Sequence, residues 1–260
     1  MLKITPVRLA LSAALALCLV ACSNDTSSGG SSPTTGAPTS ASVNPSVTPT
    51  TAGTPTASPT PVPPANKLPT AAELTKALLA LPDLPSGFSI EKDESATGDD
   101  SRLTSKDARC ARFVTFANAD TPPGSKASVT RSFSGGQQGP FIDESLDAMG
   151  SPAAAQALQR SFKSAIAACR SITLTIPGEG RSTMAVNEVS APPVGTGPVA
   201  VRLSATSGSL EGLEVILFST GIDAVVLSMS VLAGTSQDLD AAAADAVAKA
   251  RRTLDTKSGT

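Results

Sequence analysis

Four cysteines are the residues whose type and spacing could carry chemistry in this chain of 260 residues. Thiolates act as nucleophiles, bind metals and pair into disulfides. Cys18 and Cys22 lie at the end of an apolar N-terminal stretch, whereas Cys110 and Cys169 lie far along the chain with 58 residues between them. The two pairs therefore belong to different parts of the protein and need separate interpretations.

Most catalytic chemistry is excluded by composition. The chain has no His, which removes Ser–His–Asp and Cys–His arrangements and the commonest metal ligand. A Ser–Lys hydrolase needs a Ser-x-x-Lys helix start, and Ser161-Phe162-Lys163 has the wrong spacing. Asp143 and Glu144 are neighbours on a predicted strand, so they face opposite sides. We expect no enzyme activity, no catalytic residue, no metal and no cofactor.

Residues 1–21 are typical of a bacterial signal peptide. Lys3 and Arg8 precede an apolar stretch that is shorter than the ~20 residues of a membrane span. The motif Leu19-Val20-Ala21-Cys22 resembles a lipobox, in which the cysteine becomes the lipidated first residue of the mature protein. We expect Cys22 to carry lipid, palmitate included, and to anchor the chain at the extracytoplasmic face of the cell membrane. The alternative is an N-terminal anchor helix with an incidental cysteine.

Residues 22–67 have the composition of a disordered tether. Between Ser23 and Asn66 there are nine Pro, ten Thr and nine Ser, with Asp25 as the only charge. Such a segment has too little apolar surface to offset the entropy of ordering. It is either a passive spacer or a stalk with O-glycosylated Ser and Thr.

Residues 68–256 are predicted to form a single α+β domain, an antiparallel sheet with helices packed on it. The element order is helix, strand, helix, two strands, long helix, about five strands, helix, without the regular alternation of a parallel sheet. Helix starts are predicted at Thr70, Ser151-Pro152 and Thr235. The most apolar strands, 213–219 and 224–232, should be central, with residues 220–223 as their hairpin connection.

An acidic loop is predicted between the first strand and the second helix. Asp93, Glu94, Asp99 and Asp100 lie there beside Gly98. Their spacing does not match an EF-hand loop, so a solvated loop is favoured over a calcium site.

The helix that begins at Ser151 predicts where the second cysteine points. Its apolar stripe, at spacings of three and four, is Ala155, Leu158, Phe162, Ile166 and Cys169. The residues expected to face solvent are Gln156, Gln159, Arg160 and Lys163. Cys169 should therefore face the core and pair with Cys110, because cysteines of exported proteins commonly form disulfides. The alternative is two buried free thiols.

Several motifs give the domain a resemblance to the PknH-like extracellular sensor domains of mycobacterial kinases and actinobacterial lipoproteins. They are Ser105-x-Asp107-x-x-Cys110, Ser151-Pro152-Ala153-Ala154-Ala155-Gln156, Phe162 with Cys169, and Thr173-Leu174-Thr175. The chain departs from the family at Ile166, where Trp is common, and in having no late disulfide. The resemblance implies an α+β fold with a cleft and a ligand-sensing role, and it supplies no catalytic residues.

The expected function is therefore non-catalytic binding or sensing at the cell surface. The ligand is an unidentified small molecule, lipid or envelope protein, and its binding residues are unknown. The alternative is a carrier of lipid or glycolipid. The net charge of −2 offers no basic field for nucleic acid.

Overall fold

The computed structural model describes residues 67–91 and 101–255. Cys22, the signal peptide, the tether and the acidic loop lie outside these residues. The described helices are Ala71–Ala77 (α1), Ala111–Asn118 (α2), Pro152–Ala168 (α3) and Ser236–Asp255 (α4), with single 3-10 turns at Leu81–Asp83 and Ala108–Cys110. Among them, no helix has the length and apolar character needed to cross a membrane.

One antiparallel sheet organises the domain. Its nine strands are Ser89–Ile90 (β1), Arg102–Thr104 (β2), Ala127–Ser134 (β3), Phe141–Ala148 (β4), Ser171–Ile176 (β5), Gly180–Val189 (β6), Thr196–Gly208 (β7), Glu214–Ile222 (β8) and Val225–Leu232 (β9). Their spatial order is β1-β3-β4-β9-β8-β7-β6-β5-β2. The predicted α+β class is confirmed, as is the central position of the two most apolar strands, β8 and β9.

The two faces of the sheet carry different helices because side chains alternate along each strand. Ile216 and Phe218 of β8 belong to the core half that packs against α1 and α4. Val215 and Leu217 belong to the half beneath α2 and α3. The sheet is thus covered by a helix pair on each side.

Helix α1 starts as predicted and spans two turns. Thr70 and Glu73 form the expected capping box. The helix stops at Ala77, and Leu81, in the 3-10 turn that follows, is 40% exposed. Just beyond the helix, the backbone N–H of Leu79 donates to Glu144 Oε2 at 2.7 Å.

Two strand predictions were wrong in detail. Strand β2 was not predicted, because its three residues give too short a pattern to recognise. The hairpin turn between β8 and β9 consists of Asp223 and Ala224, not residues 220–223, and β8 continues through Gly221 to Ile222. Asp223 has a φ of 50°, as a two-residue hairpin turn requires.

Candidate functional site

Helices α2 and α3 are joined at one end by the Cys110–Cys169 disulfide. Cys110 immediately precedes α2, and Cys169 immediately follows α3. Both residues are fully buried. The predicted pairing is therefore confirmed, and it fixes the two helices against each other on one face of the sheet.

Three phenylalanines fill the angle between the two helices. Phe113 and Phe162 stack with ring centroids 6.3 Å apart and an interplanar angle of 11°. Phe116 meets Phe162 edge to face at 5.9 Å. Phe113 is fully buried, whereas Phe116 and Phe162 are only partly buried. Their partial exposure arises because they border an opening in the helix layer.

That opening is the α2–α3 cavity, which we define as the space between α2, α3 and the underlying strands β8 and β9. It has a volume of about 40 Å³. Its apolar lining consists of Phe113, Phe116, Ala117, Pro122, Leu158, Phe162, Leu217 and Val226. Because a buried water needs about 10–15 Å³ of such space, the cavity holds about three waters or part of a small organic molecule.

The polar lining of the cavity is a short hydrogen-bond chain. Gln159 Nε2 donates to Ser219 Oγ at 2.8 Å, and Ser219 Oγ lies 3.2 Å from Ser228 Oγ. Gln159 is 5% exposed, and its Oε1 has no hydrogen-bond partner among the described residues. None of the lining residues is ionisable. The site is therefore neutral and apolar, with a few convergent polar groups.

Gln159 corrects a sequence prediction. It was expected to face solvent, but it lies between Ala155 and Phe162 at helical spacings of four and three, on the buried side of α3. The polar side chain of glutamine suggested a position facing solvent, whereas its spacing from Ala155 and Phe162 indicated the buried side of α3. The sequence signal that could have located the site was a glutamine at the spacing of the apolar stripe of α3.

The serines of the cavity belong to a polar row across the sheet. Ser219 on β8 pairs with Ser228 on β9, which pairs with Ser145 on β4. Ser219, Ser228 and Ser145 are all buried, although they lie on central strands with apolar neighbours. The alternation of serine with apolar residues in Val225–Leu232 was the visible signal, and the sequence prediction did not use it.

Asp143 and Glu144 do not form a carboxylate pair. Asp143 accepts a hydrogen bond from Ser230 at 2.9 Å, on the cavity side of the sheet. Glu144 faces the other side, where it accepts the Leu79 N–H. Burial raises the pKa of Glu144 to about 7, although the Leu79 hydrogen bond and the Arg131 charge act to lower that pKa. The two carboxylates therefore act on separate faces.

Lys163 was interpreted as helix surface, and the structure agrees. It is exposed and lies 3.9 Å from Glu188. Within residues 67–91 and 101–255, no group of three His, Cys, Asp or Glu side chains is placed to hold a metal ion.

The chain matches no protein-family model and no curated protein sequence. Among solved structures it is similar to the extracellular domain of PknH from Mycobacterium tuberculosis, with a TM-score of 0.51 and 15% sequence identity over 72% of this chain and 98% of that one. A second similar structure is an Rv0999 ortholog from Mycobacterium smegmatis, with a TM-score of 0.40 and 13% identity over 70% of this chain and 96% of that one. The first likeness confirms the expected PknH-like fold.

Proposed function

We propose that this chain is a non-catalytic binding domain, tethered by lipid at Cys22 to the extracytoplasmic face of the membrane, that takes part of a small apolar ligand into the α2–α3 cavity. The observation that carries the proposal is the cavity itself, with three phenylalanines in its wall and Gln159, Ser219 and Ser228 as its polar lining. Ligand sites are typically apolar clefts with a small number of placed polar groups. The lipobox and the Pro-rich tether support the location.

The apolar wall sets the expected strength of binding. Burial of the ligand's apolar surface against this wall supplies ~25 cal/mol per Å². The loss of translational and rotational freedom offsets part of that gain. Affinities for simple probe molecules should therefore lie in the high micromolar to millimolar range.

Filling the cavity tests the proposal. Ala117 lines the cavity from α2 and is only partly buried. Ala117→Phe should occupy the space and weaken binding of the neutral fluorescent probe N-phenyl-1-naphthylamine at least tenfold, measured by fluorescence titration of the full chain. The matched control is Ala111→Phe, at an exposed position of the same helix.

The control variant should bind the probe like the wild type. Equal binding by Ala117→Phe and the wild type would place the probe elsewhere and overturn the proposal. Co-purification of a long-chain lipid from the native host, detected by solvent extraction and mass spectrometry, would favour the lipid-carrier alternative.

A further inference from the structure

Helices α1 and α4 cover only part of their side of the sheet. They pack against β3, β4, β8 and β9. Strands β6, β5 and β2 are the last three strands at one end of the strand order. Their apolar side chains, among them Leu103, Leu174 and Met184, are buried in the core half beneath α2 and α3. The side chains between these residues therefore point to the opposite side. We call that side of β2, β5 and β6 the open face.

The first row of side chains on the open face consists of two arginines on either side of a threonine. Arg102 on β2 pairs with Thr175 on β5, and Thr175 pairs with Arg181 on β6. Because neighbouring strands are ~4.8 Å apart, the Cα atoms of the two arginines lie about 10 Å apart. Both arginines are exposed, and neither guanidinium has a hydrogen-bond or ion-pair partner among the described residues. The arginine row thus holds two positive charges that are available to a ligand.

The second row on the open face consists of three threonines. Thr104 pairs with Thr173, and Thr173 pairs with Thr183. Each of them lies two residues along its strand from a member of the arginine row, so both rows lie on the same face. Thr104 and Thr183 are exposed, and Thr173 is half-buried. The threonine row therefore presents hydroxyl groups, which donate and accept hydrogen bonds, beside the two charges.

The two rows match two different chemical groups of one ligand. Guanidinium groups bind carboxylates through paired, charge-assisted hydrogen bonds. The arginine side chains are long enough for both to reach an anion above Thr175. The threonine hydroxyls suit the hydroxyl groups of a sugar, because both partners donate and accept. A carboxylated sugar chain that crosses the strands therefore meets both rows.

The composition of the open face disfavours other classes of partner. The next row beside the threonines consists of Ser171 and Ala185. No aromatic or large aliphatic side chain lies in these three rows, so the face lacks the anchors of a protein interface and of an inserted membrane surface. Electrostatic attachment to anionic lipid takes clusters of about four to eight basic residues, whereas the arginine row has two.

We infer that the arginine and threonine rows form a binding face for an anionic glycan, a sugar chain that carries carboxylate groups. A carboxylate lies between Arg102 and Arg181, above Thr175, and sugar hydroxyls lie against Thr104 and Thr183. The open face and the α2–α3 cavity are on opposite sides of the sheet. The inference thus goes beyond the proposed function and does not depend on it.

Four soluble probes test this inference by calorimetric titration of the full chain. They are trigalacturonate (a carboxylated trisaccharide), maltotriose (a neutral trisaccharide), tricarballylate (three carboxylates without a sugar) and glycerol 3-phosphate (a lipid headgroup). The wild type should bind trigalacturonate about fivefold or more tightly than each of the other three, because only trigalacturonate engages both rows.

A double variant tests the role of the two charges. Arg102→Gln/Arg181→Gln should weaken binding of trigalacturonate about fivefold or more, because it removes both guanidinium groups. The matched control is Arg112→Gln/Arg160→Gln, which removes the same net charge from exposed positions of α2 and α3. The control should bind trigalacturonate like the wild type.

A second double variant tests the role of the hydroxyl groups. Thr104→Val/Thr183→Val keeps the β-branched shape that favours a strand and removes two hydroxyls. The preference for trigalacturonate over tricarballylate should shrink in this variant. An unchanged preference would show that the threonine row does not contact the sugar and would overturn that part of the inference.

The remaining outcomes would also overturn the inference, each in a different way. Absence of trigalacturonate binding by the wild type would mean that the open face is not a glycan site. Equally tight binding of tricarballylate would identify an adventitious ion only, and equally tight binding of glycerol 3-phosphate would indicate a lipid headgroup. Binding retained by Arg102→Gln/Arg181→Gln would place the glycan elsewhere. Binding of N-phenyl-1-naphthylamine reports on the α2–α3 cavity, so failure of the proposed function is detected separately.

Discussion

Gln159 and Glu144 are buried polar side chains that face opposite sides of the same sheet. Each has one oxygen without a hydrogen-bond partner among the described residues. Gln159 is neutral and lines the α2–α3 cavity, so its burial places no charge there. Glu144 is ionisable and packed beneath α1, so protonation is its means of avoiding a buried charge. Gln159 therefore bears on ligand binding, and Glu144 bears on stability.

Glu144 should make stability depend on pH. Burial raises its pKa in the folded state to about 7 from the usual 4.5, with Arg131, Lys249 and Asp83 as the charges around it. The folded state then binds more protons than the unfolded state between these two values. Protonated Glu144 thus contributes up to ~3 kcal/mol to the free energy of unfolding. This contribution is complete below about pH 4.5 and is lost as the pH rises through 7.

Substitution of Glu144 tests this dependence by urea unfolding at pH 5 and pH 8. Glu144→Gln keeps an acceptor for the Leu79 N–H and removes the titration, so its free energy of unfolding should fall less between the two pH values than that of the wild type. Glu179→Gln, at an exposed turn, is the control and should follow the wild type. If the free energy of unfolding of Glu144→Gln fell between pH 5 and pH 8 by as much as that of the wild type, the role assigned to the burial of Glu144 would be wrong.

At single positions, the prediction of burial rests on the residue type and on its spacing along the helix. The burial of Cys110 and Cys169 was predictable, because type and spacing agreed. They disagreed at Gln159, and spacing was the better guide. The hydrogen bond between Leu79 and Glu144 joins residues 65 positions apart, and nothing in the local sequence indicates it.

At the scale of elements, α2 and α3 act as a unit because the disulfide and the phenylalanine cluster connect them. Cys110 lies three residues before Phe113, and Cys169 lies seven residues after Phe162. The disulfide thus holds the wall of the cavity from one end. The helix starts and the apolar stripe of α3 were predictable from capping residues and spacing. The cavity was not, because it depends on how far two helices stand from the sheet.

Removal of the disulfide should loosen this unit. In the chain-entropy account, a crosslink that closes a loop of this length contributes about 4 kcal/mol, so Cys110→Ser/Cys169→Ser should lower the free energy of unfolding by up to that amount. The variant should also bind N-phenyl-1-naphthylamine more weakly, because α2 is less firmly placed. Both effects are measured in one titration series with urea and probe.

The wild type under reducing conditions provides the comparison for that variant. It should show the same loss of stability and the same weaker binding. Unchanged probe binding in the double variant would show that the phenylalanine cluster alone positions the cavity wall.

At the scale of the whole molecule, the antiparallel α+β class followed from element order and apolar content. The order of the strands did not. The neighbours β4 and β9 are separated by a helix and four strands along the chain, and long-range pairing of this kind has no local signal. The short edge strands β1 and β2 were likewise hard to place, since they gain their structure from their partners β3 and β5.

The proposed membrane anchor makes a separate prediction at this scale. Cys22→Ser should abolish incorporation of labelled palmitate and release the chain from the membrane fraction, because no other cysteine lies in a lipobox. Cys18→Ser, in the apolar stretch before the motif, is the control and should label normally. Palmitate labelling of the Cys22→Ser chain would contradict the assignment.

The most direct test of ligand binding in the α2–α3 cavity is a nuclear magnetic resonance titration of the full chain with N-phenyl-1-naphthylamine. The proposed site requires that the side-chain amide signals of Gln159 shift together with the methyl signals of Leu158, Leu217 and Val226, which line the same space. Shifts confined to those groups and their neighbours are the expected result. Saturable shifts elsewhere, with Gln159 and the three methyl-bearing residues unmoved, would contradict the site.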